Sequence, residues 1–387
     1  MFAKPGSTRS RGASWSQSSI AAQAKFAESC NEETARSLCE NGKLDILGTV
    51  CKTVDMREMN SERALVELLR EVCAVRGIRL AAFSDDWVFC LQKGGRTTYV
   101  FGYDFSLNSA TAKRITNDKA ATSDLLQFHG VPRIEHRIFH SPQLAEYVPL
   151  EGNWRTMLEY FEACGGDVVC KPNQGSGGKG VSRARTPQGL EAAVIELFRT
   201  QRSLCLCPFE PIEHEFRVAI LRGQIEFVYR KRRLVVVGDG QRTLRALLLE
   251  KLANVPDFGE EAEGLANLSE MQFDFAGVPD KGEEVALNWK HNLGQGAEPE
   301  LLDMAETGVQ QVCELAVQAA AVMDVALASV DVVQSGGKLR VLEINAGIMM
   351  ESLVRSAPEG RNIARRFYDR IICDALEIEP LNEIGAN

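Results

Sequence analysis

The sequence lacks the features that mark several classes of protein. No apolar run approaches the roughly 20 residues that a membrane-spanning helix needs, so we expect no membrane partner. The net charge is −9 over 387 residues, and this acidic balance is the reverse of the basic surface of a general nucleic-acid binder. We therefore expect no nucleic-acid partner. Histidines number only five, and they do not have the spacing of a metal cluster.

Cysteine is present but forms no recognisable framework. The 11 cysteines are an odd number, and Cys205 and Cys207 form a lone CxC without a second pair at zinc spacing. Scattered thiols favour a reducing cytosol over disulfide or zinc chemistry, so we expect a cytoplasmic protein. Residues 1–26 contain no acid and no apolar core of a secretory signal. We expect residues 1–27 to be a disordered tail rather than an organelle transit peptide.

Strand and helix signals are mixed along the rest of the chain. Residues 61–77 have amphipathic helical spacing, and three short strand-like runs follow between 78 and 103. Residues 214–230 form a hairpin pattern around Arg222-Gly223-Gln224, and residues 327–345 form another around a Ser-Gly-Gly turn. A long helix is predicted over 299–323. This mixture favours an α+β fold with subdomains over a single doubly wound sheet.

The strongest local motif is a strand followed by a glycine-rich loop, DVVCKPNQGSGGKGV at 167–181. Small residues let backbone N–H groups approach a polyphosphate closely, and Lys171 and Lys179 add positive charge. The small residues of the loop are Gly175, Ser176, Gly177, Gly178 and Gly180. The pattern is neither a Walker loop nor a dinucleotide fingerprint. It predicts phosphate binding, with a flexible hairpin loop as the alternative.

A second motif consists of two acids and an amide on the predicted hairpin at 327–345. Glu343 and Asn345 are two residues apart on one strand, so both point to the same face. A short hairpin brings Asp331 opposite them, and the three side chains supply the hard oxygen ligands that Mg²⁺ prefers. The alternative is a pair of acids on an edge strand facing solvent.

Cations on two other segments complete the candidate set. Arg217 lies between apolar residues, and its planar fork suits bidentate contact with a phosphoryl group; Arg230, on the partner strand, joins it as a candidate catalytic residue. For Lys231 we prefer a solvated basic edge. Lys119 opens a helix, where a cation is unfavourable for the helix dipole unless an anion neutralises it. Lys119 is therefore a candidate phosphate contact, with an ordinary surface lysine as the alternative.

In this order and spacing, the motifs resemble the ATP-grasp superfamily, especially the ATP-grasp domains of cyanophycin synthetases and glutathione-synthetase-like ligases. The resemblance covers residues 78–376. The strings that carry it are NDKAATSDLLQFHGVP, VVCKPNQGSGGKGV, HEFRVAIL, VVVGDGQRTLRALL and SVDVVQSGGKLRVLEINAG. It implies two α+β subdomains clasping ATP after a small α/β pre-grasp domain. The implied ranges are 28–110 for the pre-grasp domain, 111–205 for the subdomain with the glycine-rich lid, and 206–380 for the subdomain with the metal site.

The resemblance also implies a role for each matching residue. Lys119 and Lys171 would bind ATP phosphates, with Lys171 also catalytic, and the loop at 174–180 would cover the triphosphate. Glu210 and Ile212 would frame the adenine, and Glu215 would bind the ribose. Arg217 would contact the γ-phosphate or the acyl phosphate, and Asn292 would lie near the phosphates or the acceptor. Two Mg²⁺ ions (or Mn²⁺) would be bound by Asp331, Glu343 and Asn345. The pattern departs from D-alanine–D-alanine ligases at Ser329, where those enzymes have an arginine.

The implied function is ATP-dependent ligation of a carboxylate, from an amino acid or small peptide, to an amine. An acyl phosphate is the expected intermediate, and ADP and phosphate are the expected products. The expected partners are small-molecule carboxylate and amine substrates, and a homodimer is the expected oligomer. Two alternatives stay open: ATP-dependent modification of a peptide or protein terminus, and a regulatory module that binds nucleotide without catalysis.

Overall fold

A computed structural model describes residues 63–144, 154–175, 177–253 and 273–379. The predicted tail, residues 28–62 of the predicted pre-grasp domain and Ser176 lie outside the described residues. Within these ranges the α+β prediction is confirmed, because helices accompany four antiparallel sheets. No helix of the described part is both long enough and apolar enough to cross a bilayer.

The helices are α1 (Ala64–Arg76), α2 (Ala110–Asn117), α3 (Lys119–Phe128), α4 (Trp154–Ala163), α5 (Pro187–Thr200), α6 (Leu244–Ala253), α7 (Thr307–Val322), α8 (Glu351–Ser356) and α9 (Gly360–Leu376). The strands are β1 (Arg79–Phe83), β2 (Val88–Lys93), β3 (Arg96–Phe101), β4 (Arg137–His140), β5 (Val168–Pro172), β6 (Ser182–Ala184), β7 (Ser203–Pro208), β8 (His214–Leu221), β9 (Gln224–Arg232), β10 (Val235–Val237), β11 (Glu284–Ala286), β12 (Glu298–Leu301), β13 (Leu327–Ser335) and β14 (Lys338–Asn345).

The first described elements are α1 and the antiparallel meander β1-β2-β3. Helix α1 ends where predicted, at Gly77, whose φ of 60° is the left-handed cap that glycine adopts without strain. Phe89, Leu91 and Val100 alternate with less buried neighbours and pack in one core with α1 and α9. The three strands predicted between 78 and 103 are confirmed.

A four-stranded antiparallel sheet has the order β4-β7-β5-β6. Its strands alternate, so Val168 and Cys170 pack beneath α4 and α5, whereas Val169 and Lys171 belong to the other face. Val169 packs with Val333 of β13. The face that carries Lys171 is therefore turned toward the second large sheet.

The second large sheet has five antiparallel strands in the order β12-β9-β8-β13-β14. Helix α7 packs on one of its faces together with α2 and α3, whose buried residues share its core. The predicted helix over 299–323 was wrong at its start, because residues 298–301 form β12 and α7 begins at Thr307. Pro299 lies within β12, an edge strand, where proline's missing amide hydrogen is tolerated.

Two irregularities set the register of this sheet. The β8–β9 pairing shifts between Ala219 and Ile220, and the β13–β14 pairing shifts between Asp331 and Val332. A one-residue shift moves every following side chain of a strand to the other face. These bulges therefore decide which polar residues meet.

Candidate active site

The predicted acids and amide lie on one face of the five-stranded sheet. Asp331 of β13 is the direct cross-strand partner of Glu343 on β14, and Asn345 is partnered by Ser329 one step along the same face. On its other side Asp331 is partnered by Arg217 of β8. The hairpin prediction is confirmed. We call this the carboxylate face: Glu215, Arg217, Lys231, Asp331, Glu343 and Asn345.

Asp331 is the buried centre of this face. Its side chain accepts two hydrogen bonds from Arg217, Nε to Oδ1 and Nη2 to Oδ2, both at 2.7 Å. Lys231 Nζ donates a third to Oδ2 at 2.8 Å. Burial raises the pKa of Asp331, but the charges of Arg217 and Lys231 outweigh this effect and lower the pKa to about 2. The carboxylate is therefore charged at neutral pH, and the two cations hold it in place.

Lys231 also contacts Glu215, at 2.5 Å between Nζ and Oε1. Only 5% of the lysine side chain is exposed, so the expectation of a solvated basic edge was wrong for this residue. Glu215 is buried as well, and burial raises its pKa despite the opposing charge of Lys231. His291 Nδ1 lies 3.9 Å from Glu215 Oε2. Lys231 is thus a functional candidate that the sequence reasoning missed.

Arg230, predicted to be catalytic, lies away from this cluster. It is partnered by Phe216 across the β8–β9 pair, so it belongs to the other face, and its guanidinium bonds Glu300 of β12 at 2.8 Å. The cause is the bulge near Ala219. With unbroken pairing from the hairpin turn, Glu215 would face Arg230, but the extra residue puts Lys231 there instead.

Two further cations, Lys119 and Lys171, lie near the carboxylate face. Lys119 Nζ lies 3.9 Å from Glu343 Oε1. Lys171 is buried; burial lowers its pKa, but the neighbouring Cys207 and Cys205 and the carboxylates of Glu343 and Glu215 raise it above its usual value. The two predicted phosphate-binding lysines therefore lie near the predicted metal acids.

The loop at 174–180, which we call the glycine loop, is held by side chains from outside it. Lys119 Nζ donates to Gly175 O at 2.8 Å, and Asn292 Nδ2 donates to Gly177 O at 2.7 Å. Lys290 Nζ donates to Val181 O, just beyond the loop, at 2.6 Å. All its described glycines have positive φ, and Lys179 is exposed.

The remaining predicted nucleotide contacts lie beside an apolar cluster between the two large sheets. Ile212 packs there with Val169 and Val333. Other members of the cluster include Ile134, Cys207, Phe209, Trp289 and Leu342. Glu210 is ion-paired with Arg340 of β14, so its carboxylate already has a cationic partner. Apolar walls with a few polar groups at the rim are typical of small-molecule sites.

The donor set at Asp331, Glu343 and Asn345 fits Mg²⁺ in the way that ion usually binds. Among the described residues no three His, Cys, Asp or Glu side chains are grouped as metal ligands. Mg²⁺ commonly takes only one or two carboxylates, with substrate phosphates and water completing its shell. Asp331 uses three of the roughly four lone-pair positions of a carboxylate on its cations. Glu343 and Asn345 are only partly buried, so the set can still coordinate an ion.

No family model and no curated relative matches this sequence. Solved structures similar to this chain include ligases. A bifunctional glutathione synthetase from Pasteurella multocida aligns over 80% of this chain and 44% of its own, at 20% identity and a TM-score of 0.49. A D-alanine–D-alanine ligase from Bacillus anthracis aligns over 70% and 69%, at 14% identity and a TM-score of 0.45.

The ATP-grasp ligase PsnB, solved with a minimal precursor, aligns over 67% of this chain and 64% of its own, at 17% identity and a TM-score of 0.35. This chain spans less than half the length of the glutathione synthetase. At such TM-scores the likeness says nothing about the reaction.

Proposed function

We propose that this chain is an ATP-dependent carboxylate–amine ligase that works through an acyl phosphate. The observation that carries the proposal is the meeting of two sets of groups. The carboxylate face supplies hard oxygen donors at Asp331, Glu343 and Asn345, and Lys119 and Lys171 supply cations beside a glycine-rich loop. Phosphoryl transfer from Mg·ATP needs oxygen donors that bind the metal ion and, close to them, lysines that bind the phosphates.

In the first proposed step a substrate carboxylate oxygen attacks the γ-phosphorus. The bond from that phosphorus to the bridging oxygen of ADP breaks, and ADP takes the electron pair. Lys119 and Lys171 hold the phosphate oxygens, and Arg217 adds a planar cation whose position Asp331 fixes. Mg²⁺, held by Glu343, Asn345 and the remaining lone pair of Asp331, would neutralise phosphate charge.

In the second step the nitrogen of the amine substrate attacks the acyl carbon. The carbon–oxygen bond to phosphate breaks, phosphate leaves with the electron pair, and the nitrogen loses its proton to the departing phosphate. The glycine loop, held by Lys119 and Asn292, would keep water from the acyl phosphate during this step. No side-chain nucleophile is required.

The test measures ADP release with Mg²⁺, ATP and pooled amino acids, with and without hydroxylamine, which traps an acyl phosphate as hydroxamate. Glu343→Gln removes a metal acid with little change in volume, and we expect it to abolish hydroxamate formation. Glu314→Gln is the matched control, because Glu314 is exposed on α7, on the other face of the sheet. ATP turnover without hydroxamate or amine dependence would contradict the ligase, and ATP binding without turnover by any pool would favour a regulatory module.

A further inference from the structure

His136 is a buried imidazole beside the candidate phosphate lysines. It is 3% exposed, and its backbone N–H donates to Ser123 Oγ at 3.1 Å, which fixes the segment before β4 against α3. Its Nδ1 lies 3.0 Å from Ile134 O. A carbonyl only accepts hydrogen bonds, so we assign the ring proton to Nδ1, and Nε2 is a lone-pair acceptor. Within the described ranges, Nε2 is buried and has no hydrogen-bond partner.

His136 is one of the residues that line a cavity of about 10 Å³, a volume that suits about one water molecule. Its polar lining residues are Thr116, Lys119, Thr122, Ser123, His136 and Glu343. The three hydroxyls already donate to backbone carbonyls of Ala112, Ile115 and Ile134, so toward the cavity they can only accept. Lys119 is the ammonium donor of this lining, and His136 Nε2 is its unpartnered neutral acceptor.

The charge state of His136 suits this place. Burial lowers its pKa well below the usual value, and the positive charges of Lys171, Lys119 and Arg133 lower it further, against the opposing hydrogen bond to Ile134. The ring is therefore neutral at neutral pH. A carboxylate at this position would cancel part of the charge that a phosphate needs, because opposite charges at short range neutralise each other's field. A neutral acceptor orients an ammonium and leaves its charge intact.

We propose that His136 is a positioning residue for Lys119. Its Nε2 accepts, through one water in the cavity, a hydrogen bond that holds the Lys119 ammonium between Glu343 and the glycine loop. Lys119 then meets an incoming phosphate already oriented, so less side-chain freedom is lost on binding. This inference rests on the proposed function, in which Lys119 binds ATP, and adds a residue that the sequence motifs did not include.

The experiment compares His136→Gln, which keeps a neutral acceptor, with His136→Phe, which keeps a ring without one. His140→Phe is the control: His140 also has a buried Nδ1 with no hydrogen-bond partner within the described part, but it does not line the cavity. The measurements are the equilibrium Kd for a non-hydrolysable ATP analogue with Mg²⁺ and the free energy of unfolding. We expect roughly tenfold weaker binding for His136→Phe and near wild-type binding for His136→Gln and His140→Phe. His136→Leu replaces the phenylalanine variant if that one fails to fold.

A second arm separates positioning from stability. With Lys119→Met as background, His136→Phe is expected to weaken binding no further, because the group it orients is gone. Equal ATP affinity of wild type and His136→Phe would overturn the inference and leave the proposed function standing. An undiminished effect of His136→Phe in the Lys119→Met background would also overturn it. If wild type binds no ATP analogue at all, the proposed function itself falls.

Discussion

Lys231 donates a hydrogen bond to Asp331 at 2.8 Å, although β8 lies between the strands that carry them. The lysine reaches across one strand and also bonds Glu215 on that strand. Asp331 thus has cations from two strands, and Lys231 has anions from two. Lys231, Glu215 and Asp331 are all buried, so the loss of one removes a partner from another buried charge.

Replacing Lys231 by methionine is expected to destabilise the protein. The apolar side chain fills a similar volume but leaves Glu215 buried without its cation, and loss of one partner of a buried pair costs about 3 kcal/mol or more. Arg232→Met is the matched control. The side chain of Arg232, the next residue along β9, is 50% exposed, and exposed ion pairs contribute roughly 0–1 kcal/mol. Urea denaturation measures both. Equal losses for the two variants would contradict the buried network.

Arg217 and Arg230 are expected to differ sharply despite similar sequence surroundings. Arg217→Lys loses the two-point contact with Asp331, since an ammonium has no planar fork. We expect ligation to slow roughly a hundredfold, the usual effect of removing one charge-stabilising donor. Arg230→Lys, on the other face with Glu300, is expected to keep nearly the wild-type rate. Hydroxylamine-dependent ADP release measures the difference, and a greater loss at Arg230 would show that the register argument is wrong.

Gly177 and Gly178 allow a controlled test of the glycine loop. Both have positive φ, 77° and 71°, so alanine meets backbone strain at either position. A Cβ at Gly177 meets nothing within 4 Å, whereas one at Gly178 would lie 2.2 Å from Asn292 Nδ2. Gly178→Ala must displace the amide that holds the loop. We expect it to bind ATP roughly fivefold more weakly than Gly177→Ala does, the effect of one lost hydrogen bond; equal affinities would remove Asn292 from that role.

His291 is expected to make stability depend on acid pH. Burial, followed by the charges of Arg233 and Lys231, lowers its pKa to about 3. The unfolded chain binds a proton near the usual histidine pKa of about 6.5, but the folded chain does so only near 3. The folded state therefore loses stability as pH falls from 6.5 toward 3. His291→Gln should lose less over this window in urea denaturation, and parallel losses would rule this contribution out.

Much of the candidate site followed from local pattern. Alternation along 343–345 puts Glu343 and Asn345 on one face whatever the rest of the chain does, and the Ser-Gly-Gly turn closes a hairpin that brings Asp331 opposite them. Both glycines of that turn, Gly336 and Gly337, have positive φ. The glycine loop was predictable for a similar reason, since glycine adopts the positive φ of a tight loop without strain. These features depend on neighbours within about 20 residues along the chain.

The errors arose where pairing was not fixed by local sequence. Arg230 and Lys231 are adjacent, and either is compatible with strand alternation. A bulge near Ala219 determined which of them reached Glu215, and bulges carry no reliable sequence mark. The first residues of the predicted long helix became β12 for a comparable reason, because β9 offered an edge for them to pair with.

By itself, the sequence determined the α+β class, the glycine-rich loop and the shared face of Asp331, Glu343 and Asn345, because strand periodicity and turn chemistry act over short distances. Only the tertiary structure decided that Lys231 bridges Glu215 and Asp331, that Lys119 and Lys171 face the metal acids, and that His136 is buried beside them. Several of those contacts join residues far apart in the printed sequence: Lys231 and Asp331 are 100 positions apart, and Lys119 and Glu343 are 224 apart. Their register and burial depend on how whole sheets pack, which no local pattern specifies.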